Sequence, residues 1–472
     1  MNKILRILKS LFLEKTNKEN LTKLDGYVNV IESFPYGLQH ILAMFISNVT
    51  PILLVLCNDK INKDPEIVRT VVQNALFISG IATIIQLFPI WKVGSKLPLI
   101  VGTGFTFLSA TVYIGTAYGY GAAIGAFIVG GLAVAILGFF TKYWIKLIPP
   151  IVSSLVVLVL GISLITVGMD AFGGGSSSPD FGSYQNIIVG SVTLIVGLVF
   201  TVGFKGKLKT FAVLIALVVG YLAALCFGIV DFSALNSVKV VDIPQFTNFS
   251  KIEFKLEAII VFVIIYIISA TETIGNATAI TMHNFNRQAS TNEVAGGIIC
   301  NGIMSSIGGC FGCMPLTSYS QNVGITNMTG ITNRYSLLSG AVFLIIISFF
   351  PPLSAILNTI PQATLGGCMI MTFGSIIYTG IKMVADCGFN TKNNIIVSIA
   401  VTISMGLTLM PDIFNKLPDG WKLVEIICTT PVAVTFIIGM ILYYIIPENK
   451  VHNDEIIDNE EETDSIDDYT DE

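Results

Sequence analysis

Glu272 lies in Ile267-Ile268-Ser269-Ala270-Thr271-Glu272-Thr273-Ile274-Gly275, the one acidic side chain well inside an apolar run of this chain. An ionised carboxylate at mid-membrane costs on the order of 3 kcal/mol even on the lenient insertion scale. Such a carboxyl suits hydrogen bonding to a polar ligand and proton exchange with it; the plainer role is a protonated structural Glu bonded to a neighbouring helix. Gln321 and Asn322 are adjacent carboxamides, each with a donor and an acceptor side. That pattern matches the edge of a heterocycle such as a nucleobase, whereas an isolated Gln-Asn pair would read as helix-helix glue. Both belong to Pro315–Gly330, a polar, Gly-interrupted stretch opened by proline in otherwise apolar surroundings. Backbone that breaks its hydrogen bonds at membrane depth survives only when buried in protein or lining a cavity, and polar side chains there mark a substrate or ion pathway. Phe105 follows Gly102-Thr103-Gly104 in another interrupted apolar run and Tyr319 stands two residues before Gln321; beside a polar site either ring can stack on a planar ligand, although packing is the commoner use. His40 is the only one of the three histidines within a span, and a lone His on an apolar helix is more often a structural hydrogen-bonder than a proton relay. No phosphate-binding glycine motif, nucleophile elbow or zinc constellation occurs, so neither an enzyme nor a cofactor is expected.

The elements that must position these groups are membrane spans. At 53% hydrophobic and 12% charged, the chain departs from soluble domains, which carry roughly 25% charged residues. Apolar runs long enough to cross a bilayer recur near 36–57, 70–91, 97–115, 118–140, 148–169, 186–204 and 210–230. A second set lies near 256–281, 293–313, 315–332, 336–358, 361–384, 393–411 and 424–446. The fold class expected is an all-α polytopic membrane protein with fourteen segments. An even number places both termini on one side. With the N-terminus cytoplasmic, inner loops and arm hold eighteen of the 26 Lys and Arg residues, which favours that orientation. Segment three opens Leu97-Pro98-Leu99 and runs into Gly102-Thr103-Gly104-Phe105, while segment ten opens Met314-Pro315-Leu316 and runs into Gln321-Asn322-Val323-Gly324. Segments five and twelve open Ile148-Pro149 and Ile360-Pro361. Paired, Gly/Pro-interrupted segments in two inverted halves point to a transporter's binding site. The acidic residues crowd the end of the chain, consistent with a disordered, solvated tail. Cys310-Phe311-Gly312-Cys313 has metal-like spacing but no second Cys or His pair, and reads as small residues for close helix packing. Residues 1–30 lack the apolar core of a cleavable signal peptide.

These residues resemble the nucleobase–ascorbate transporter family, the xanthine, urate and uracil permeases. Its signature is Gln, Glu or Pro, then Asn-x-Gly, four free positions, Thr, and Arg, Lys or Gly. Gln321-Asn322-Val323-Gly324 followed by Thr329-Gly330 meets every position. Similar blocks are Gln39-His40, Gly102–Phe105, Glu272-Thr273-Ile274-Gly275 and Pro361-Gln362-Ala363-Thr364-Leu365-Gly366-Gly367. The resemblance covers about residues 34 to 446.

It implies a seven-plus-seven inverted repeat with a core domain (35–146 and 231–358, the latter including an outer loop at 231–255) and a gate domain (147–230 and 359–446). Residues 1–34 form a cytoplasmic N-terminal arm and 447–472 the acidic cytoplasmic tail. Segments three and ten each carry a short strand and a half-helix. The resemblance also implies substrate-binding roles for Glu272, Gln321, Phe105, Tyr319 and Asn322, with His40 in support. Gln at the signature's first position is similar to the xanthine/urate branch, whereas Glu is typical of uracil permeases. Asn276 and Asn301 stand where many bacterial purine members have Asp, and neither amide titrates. The expectation is a multi-pass plasma-membrane importer of a purine nucleobase, xanthine or urate, by proton symport, with sodium an open alternative. No cofactor, metal or nucleic acid is implied; the lipid bilayer and a homodimer partner are. Rivals are a uracil permease, an anion transporter or channel, and a non-transporting ligand sensor.

Overall fold

The computed structural model describes residues 18–26, 28–58, 61, 64–176, 178–204, 212–232, 241–246, 251–414, 418 and 421–447. Most of the N-terminal arm, the basic loop around Lys207 and the acidic tail from residue 448 lie outside them. The chain is mostly helical. Helix α1 (Val30–Leu56) starts at Asn29, whose side chain accepts from the Ile31 and Glu32 amides, and so satisfies two of the donors a helix start leaves orphaned. Asp64 caps α2 (Pro65–Leu87) in the same way, with Pro65 in the first turn. Strand β1 (Val101–Thr103) and a single 3-10 turn (Phe105–Phe107) precede α3 (Leu108–Tyr118). Then follow α4 (Tyr120–Phe139), α5 (Pro150–Ser163), α6 (Ile165–Phe172), α7 (Tyr184–Gly203) and α8 (Ala212–Cys226).

The second half opens with α9 (Leu256–Phe285) and α10 (Thr291–Cys310), the latter begun by a capping box between Ser290 and Glu293. Strand β2 (Leu316–Ser318) leads directly into α11 (Ser320–Thr329), followed by α12 (Arg334–Ser348) and α13 (Pro351–Asn358). The remainder is α14 (Gln362–Asp386), α15 (Thr391–Leu409), α16 (Lys422–Cys428) and α17 (Pro431–Ile445). Among the described residues, seven helices are long and apolar enough to cross a membrane. The run at Pro150–Phe172 passes through Leu164 as one span, whereas two other runs expected as single spans are broken in two, at Phe349-Phe350 and at Thr429-Thr430. Pro351 and Pro431 open the second pieces of the latter two; proline lacks the N–H that would continue the preceding helix.

The two short strands pair antiparallel, Val101 opposite Ser318, Gly102 opposite Thr317 and Thr103 opposite Leu316. Backbone bonds extend the ladder at both ends, from the Gly104 amide to the Pro315 carbonyl (2.9 Å) and from the Tyr319 amide to Ile100 (3.0 Å). All six strand residues are buried. The amides that face away from the partner strand donate to side chains, Val101 to Thr83 (3.2 Å), Thr103 to Asn48 (2.8 Å) and Leu316 to Ser305 (2.8 Å), so the polar backbone is satisfied within an apolar body. Helices α1, α2, α9 and α10 pack around the pair. The α4–α10 crossing is close: a Cβ on Gly302 would lie 2.6 Å from the Gly131 carbonyl, and Ser306 donates to the Ile128 carbonyl (2.8 Å). Small residues that let backbones approach, with a hydroxyl bonded across, are the usual adhesive of helices in lipid.

Candidate functional site

The strand pair brings residues more than two hundred positions apart into one cluster. Glu272, at the middle of α9, is half-buried and accepts from the Thr106 hydroxyl (3.2 Å) and the Thr317 hydroxyl (3.5 Å), both on Oε2. Thr106 sits in the turn after β1 and Thr317 on β2, so the carboxyl touches both halves of the ladder. Ser269, one helical turn earlier, donates to Thr317 (3.1 Å). No Lys or Arg pairs with Glu272 among the described residues. The carboxyl is thus steadied by neutral donors only.

Gln321 occupies the first turn of α11, half-buried, and its Nε2 donates to the Ser47 hydroxyl on α1 (3.4 Å). With the amide nitrogen engaged there, Oε1 is the atom left to accept. Phe105 is buried beside Thr106 and meets the ring of Phe373 on α14 edge to face, centroids 5.2 Å apart. A Cβ on Gly324 of α11 or on Gly374 of α14 would touch nothing within 4 Å. Phe105 follows β1 by two residues, Gln321 follows β2 by three, and Glu272 bonds to Thr106 and Thr317, so all three stand beside the ladder.

The other expected residues hold this region rather than all facing it. Asn322 is buried and donates to the His40 carbonyl (3.2 Å), tying α11 to α1; its Oδ1 and the His40 Nδ1 are buried with no partner among the described residues. Tyr319 is 3% exposed. Its hydroxyl donates to the Thr103 carbonyl (2.9 Å), with Asn48 Oδ1 at 3.4 Å, so its ring clamps β1 and is not open for stacking. Asn276 donates to the Ser318 carbonyl (2.9 Å) and hydroxyl (3.1 Å) and accepts from Ser320 (2.9 Å). Asn301 does not join the Glu272 cluster. It donates to Thr273 (3.0 Å) and lines, with Ser269, Tyr266 and Leu316, a separate cavity of about 10 Å³.

Sequence reasoning missed Asn48, Ser47, Thr106 and Thr317. Asn48 accepts from the Thr103 amide (2.8 Å) and from Ser79 (3.1 Å) as well as facing Tyr319. One signal was present: Ser47 stands seven residues after His40, two turns along the same helix face. Thr106 and Thr317 are hydroxyls within apolar sequence and carry no such mark. A second cavity, of about 550 Å³, lies against α3 and is lined by Leu108, Ser109, Val112, Tyr113, Val167 and Thr430 among others. At its rim the Tyr113 hydroxyl donates to Glu425 of α16 (3.1 Å).

Comparison with known proteins bears on what such a site does. Residues 31–413 match the sequence profile described as "Permease family". The xanthine permease XanQ of Escherichia coli strain K12 is 32% identical over 426 residues, 87% of this chain and 90% of that protein. The uric acid permease PucK of Bacillus subtilis is 33% identical over 392 residues, 82% of this chain and 90% of its own length. Among solved structures, the transmembrane domain of the cyanobacterial bicarbonate transporter BicA is similar, with a TM-score of 0.56 and 14% identity over 88% of this chain and 97% of that one. At that identity the likeness is one of fold.

Proposed function

The chain belongs to the permease family that includes bacterial xanthine and uric acid permeases, and we propose that it imports a purine base, xanthine or urate, across the plasma membrane by proton symport. It is a multi-pass membrane transporter and not an enzyme. What supports the substrate reading is the convergence of Glu272, Gln321 and Phe105 on the β1–β2 ladder. Glu272 and the Gln321 Oε1 are both acceptors. Two acceptors beside an aromatic face complement a planar base with ring N–H groups on its edges. In this reading the base lies between Phe105 and the start of α11, Asn322 and His40 keep that start in place, and Tyr319 contributes backbone rather than ring. Asn276 ties α9 to β2, and Asn301 supports α9 from behind.

The proposed mechanism is alternating access. Residues 35–146 and 231–358 form the core, residues 147–230 and 359–446 the gate, in two inverted halves of seven segments with both termini cytoplasmic. The cavity at α3, between Leu108 and Thr430, is the approach from the outer side, and the Tyr113–Glu425 bond joins core to gate across it. A homodimer is the expected assembly. The anion-transporter reading asks for a cationic or dipolar site; no cation accompanies Glu272 among the described residues. The deciding experiment is uptake of labelled xanthine, urate, hypoxanthine, guanine and uracil, each with and without a pH gradient or sodium. Gradient-driven uptake of xanthine or urate is the expected result. Preference for uracil, or stimulation by sodium alone, overturns the substrate or coupling assignment respectively.

A further inference from the structure

Two connecting segments on one side of the molecule, the second wound into short helical turns at Thr141–Trp144 and Ile145–Leu147, build a surface for which the transport site has no use. Helix α2 ends at Leu87, α4 at Phe139, and α5 begins at Pro150, so residues 88–96 and 140–149 lie just beyond three apolar spans. Large rings stand exposed there: Trp91 at 78%, Phe140 at 54% and Tyr143 at 74%. Exposed lysines alternate with them, Lys92, Lys142 and Lys146. The two segments themselves carry positive charge only, because no Asp or Glu occurs between Glu66 and Asp170. Lys96 is paired with Asp25 (3.4 Å), but the other three lysines have no carboxylate partner among the described residues.

The loops form one surface rather than two. The Lys92 ammonium lies 5.4 Å from the Trp91 ring and 5.9 Å from that of Phe139, and the two rings are 5.7 Å apart. Both loops are held in shape from within. Ile90 and Val93 exchange backbone bonds of 3.0 Å, the Gly94 amide donates to Gly296 (2.9 Å), and the Trp144 indole donates to the Leu137 carbonyl (2.8 Å).

Aromatic rings at the level where spans end sit in the interfacial layer of a bilayer, and lysines beside them meet the phosphates of that layer. We propose that this surface is a binding site for anionic phospholipid. Lys92, Lys142 and Lys146 face the headgroup phosphates, and Trp91 and Phe140 lie along the acyl chains. A soluble anion would use the lysines and leave the bare rings unexplained. The site also has leverage. Residues 140–149 are the only link from α4 to α5, and Tyr444 of α17 donates to the Leu147 carbonyl in the same stretch (2.7 Å).

The test is lipid retention by the purified full-length protein in nanodiscs of mixed phosphatidylglycerol and phosphatidylcholine, read by native mass spectrometry. Wild type should retain phosphatidylglycerol above its share of the mixture. Each lysine near an anionic surface strengthens binding by about fivefold, so Lys92→Gln/Lys142→Gln/Lys146→Gln should lower that enrichment by at least ~10-fold. Lys251→Gln/Lys255→Gln, remote in the sequence, should leave it unchanged. If the triple variant does not purify as a single species, Lys142→Gln on its exposed turn should still cost about fivefold. Unchanged enrichment in the lysine variants, or an equal loss in the Lys251/Lys255 variant, overturns the site. Displacement of the lipid by millimolar inorganic phosphate would assign the lysines to a soluble anion instead.

Discussion

Glu272→Gln separates the role of the carboxyl from its bulk. The Thr106 and Thr317 hydroxyls both donate to Oε2, so in the proposed complex Oε2 is held by the two threonines and Oε1 meets the ligand. A glutamine can keep both hydroxyls satisfied only by placing its single oxygen where Oε2 sits. Its amide nitrogen then takes the ligand-facing position, and a donor stands where the base presents a ring N–H. The bond lost is charge-assisted, about 1.5–3 kcal/mol, which corresponds to a roughly 10- to 150-fold weaker complex. The amide also cannot load or release a proton, so net uptake should fall to background even at saturating base. Two measurements check this: initial uptake of labelled xanthine normalised to the amount of protein in the membrane, and equilibrium binding to purified protein. Uptake near wild type would falsify the assignment of Glu272 to the site. Lost uptake with unchanged binding would refute the hydrogen-bond argument while leaving a role in coupling.

Gln321→Glu exchanges the signature's first residue for an acid, which can no longer donate to the Ser47 hydroxyl and can only accept from it. Competition by uracil should rise relative to xanthine, and an unchanged ranking of competitors would count against Gln321 as the selecting residue. Gly102→Ala places a Cβ 2.7 Å from Asn48 Oδ1 and from the Tyr319 hydroxyl. Overpacking of this kind costs about 1–3 kcal/mol, so the melting temperature in detergent should drop by several degrees, and an unaltered melt would show that the ladder tolerates a side chain there.

How much of this could be read beforehand follows from what lipid forbids. Apolar runs and their polar interruption at 315–330 are visible because exposed backbone cannot persist in hydrocarbon. The partnership of Val101–Thr103 with Leu316–Ser318 has no periodic signature in three-residue strands, and its register is set by packing from α1, α2, α9 and α10. Breaks at Pro351 and Pro431 were marked by the prolines themselves. The roles of the site residues divide similarly. Glu272 and Gln321 stand out as costly groups in the wrong solvent. Tyr319 stands out too, yet which way its ring turns depends on Asn48 and the Thr103 carbonyl, partners known only once the chain has folded.

Hydrogen bonding also gives the two amides Asn276 and Asn301 a role of their own. Asn276 uses its nitrogen for the Ser318 carbonyl and hydroxyl and its oxygen for Ser320. An ionised aspartate there would face the Ser318 carbonyl with no hydrogen to share, and a protonated one could serve only one of the two acceptors. At Asn301 the partner is the Thr273 hydroxyl, whose hydrogen is directed to the Ser269 carbonyl (3.2 Å). Its oxygen can therefore only accept, and the residue at 301 must donate. Both positions are built for a permanent donor, so neither changes charge as the transporter cycles. Among the described residues Glu272 is the one acid bonded to the strand pair, so the proposed proton-coupled cycle has one group to load. The expected stoichiometry is one proton per base, measurable in proteoliposomes from the membrane potential that just balances an imposed base gradient. Two protons per base would require a second titrating group at the site and would refute this reading of Asn276 and Asn301.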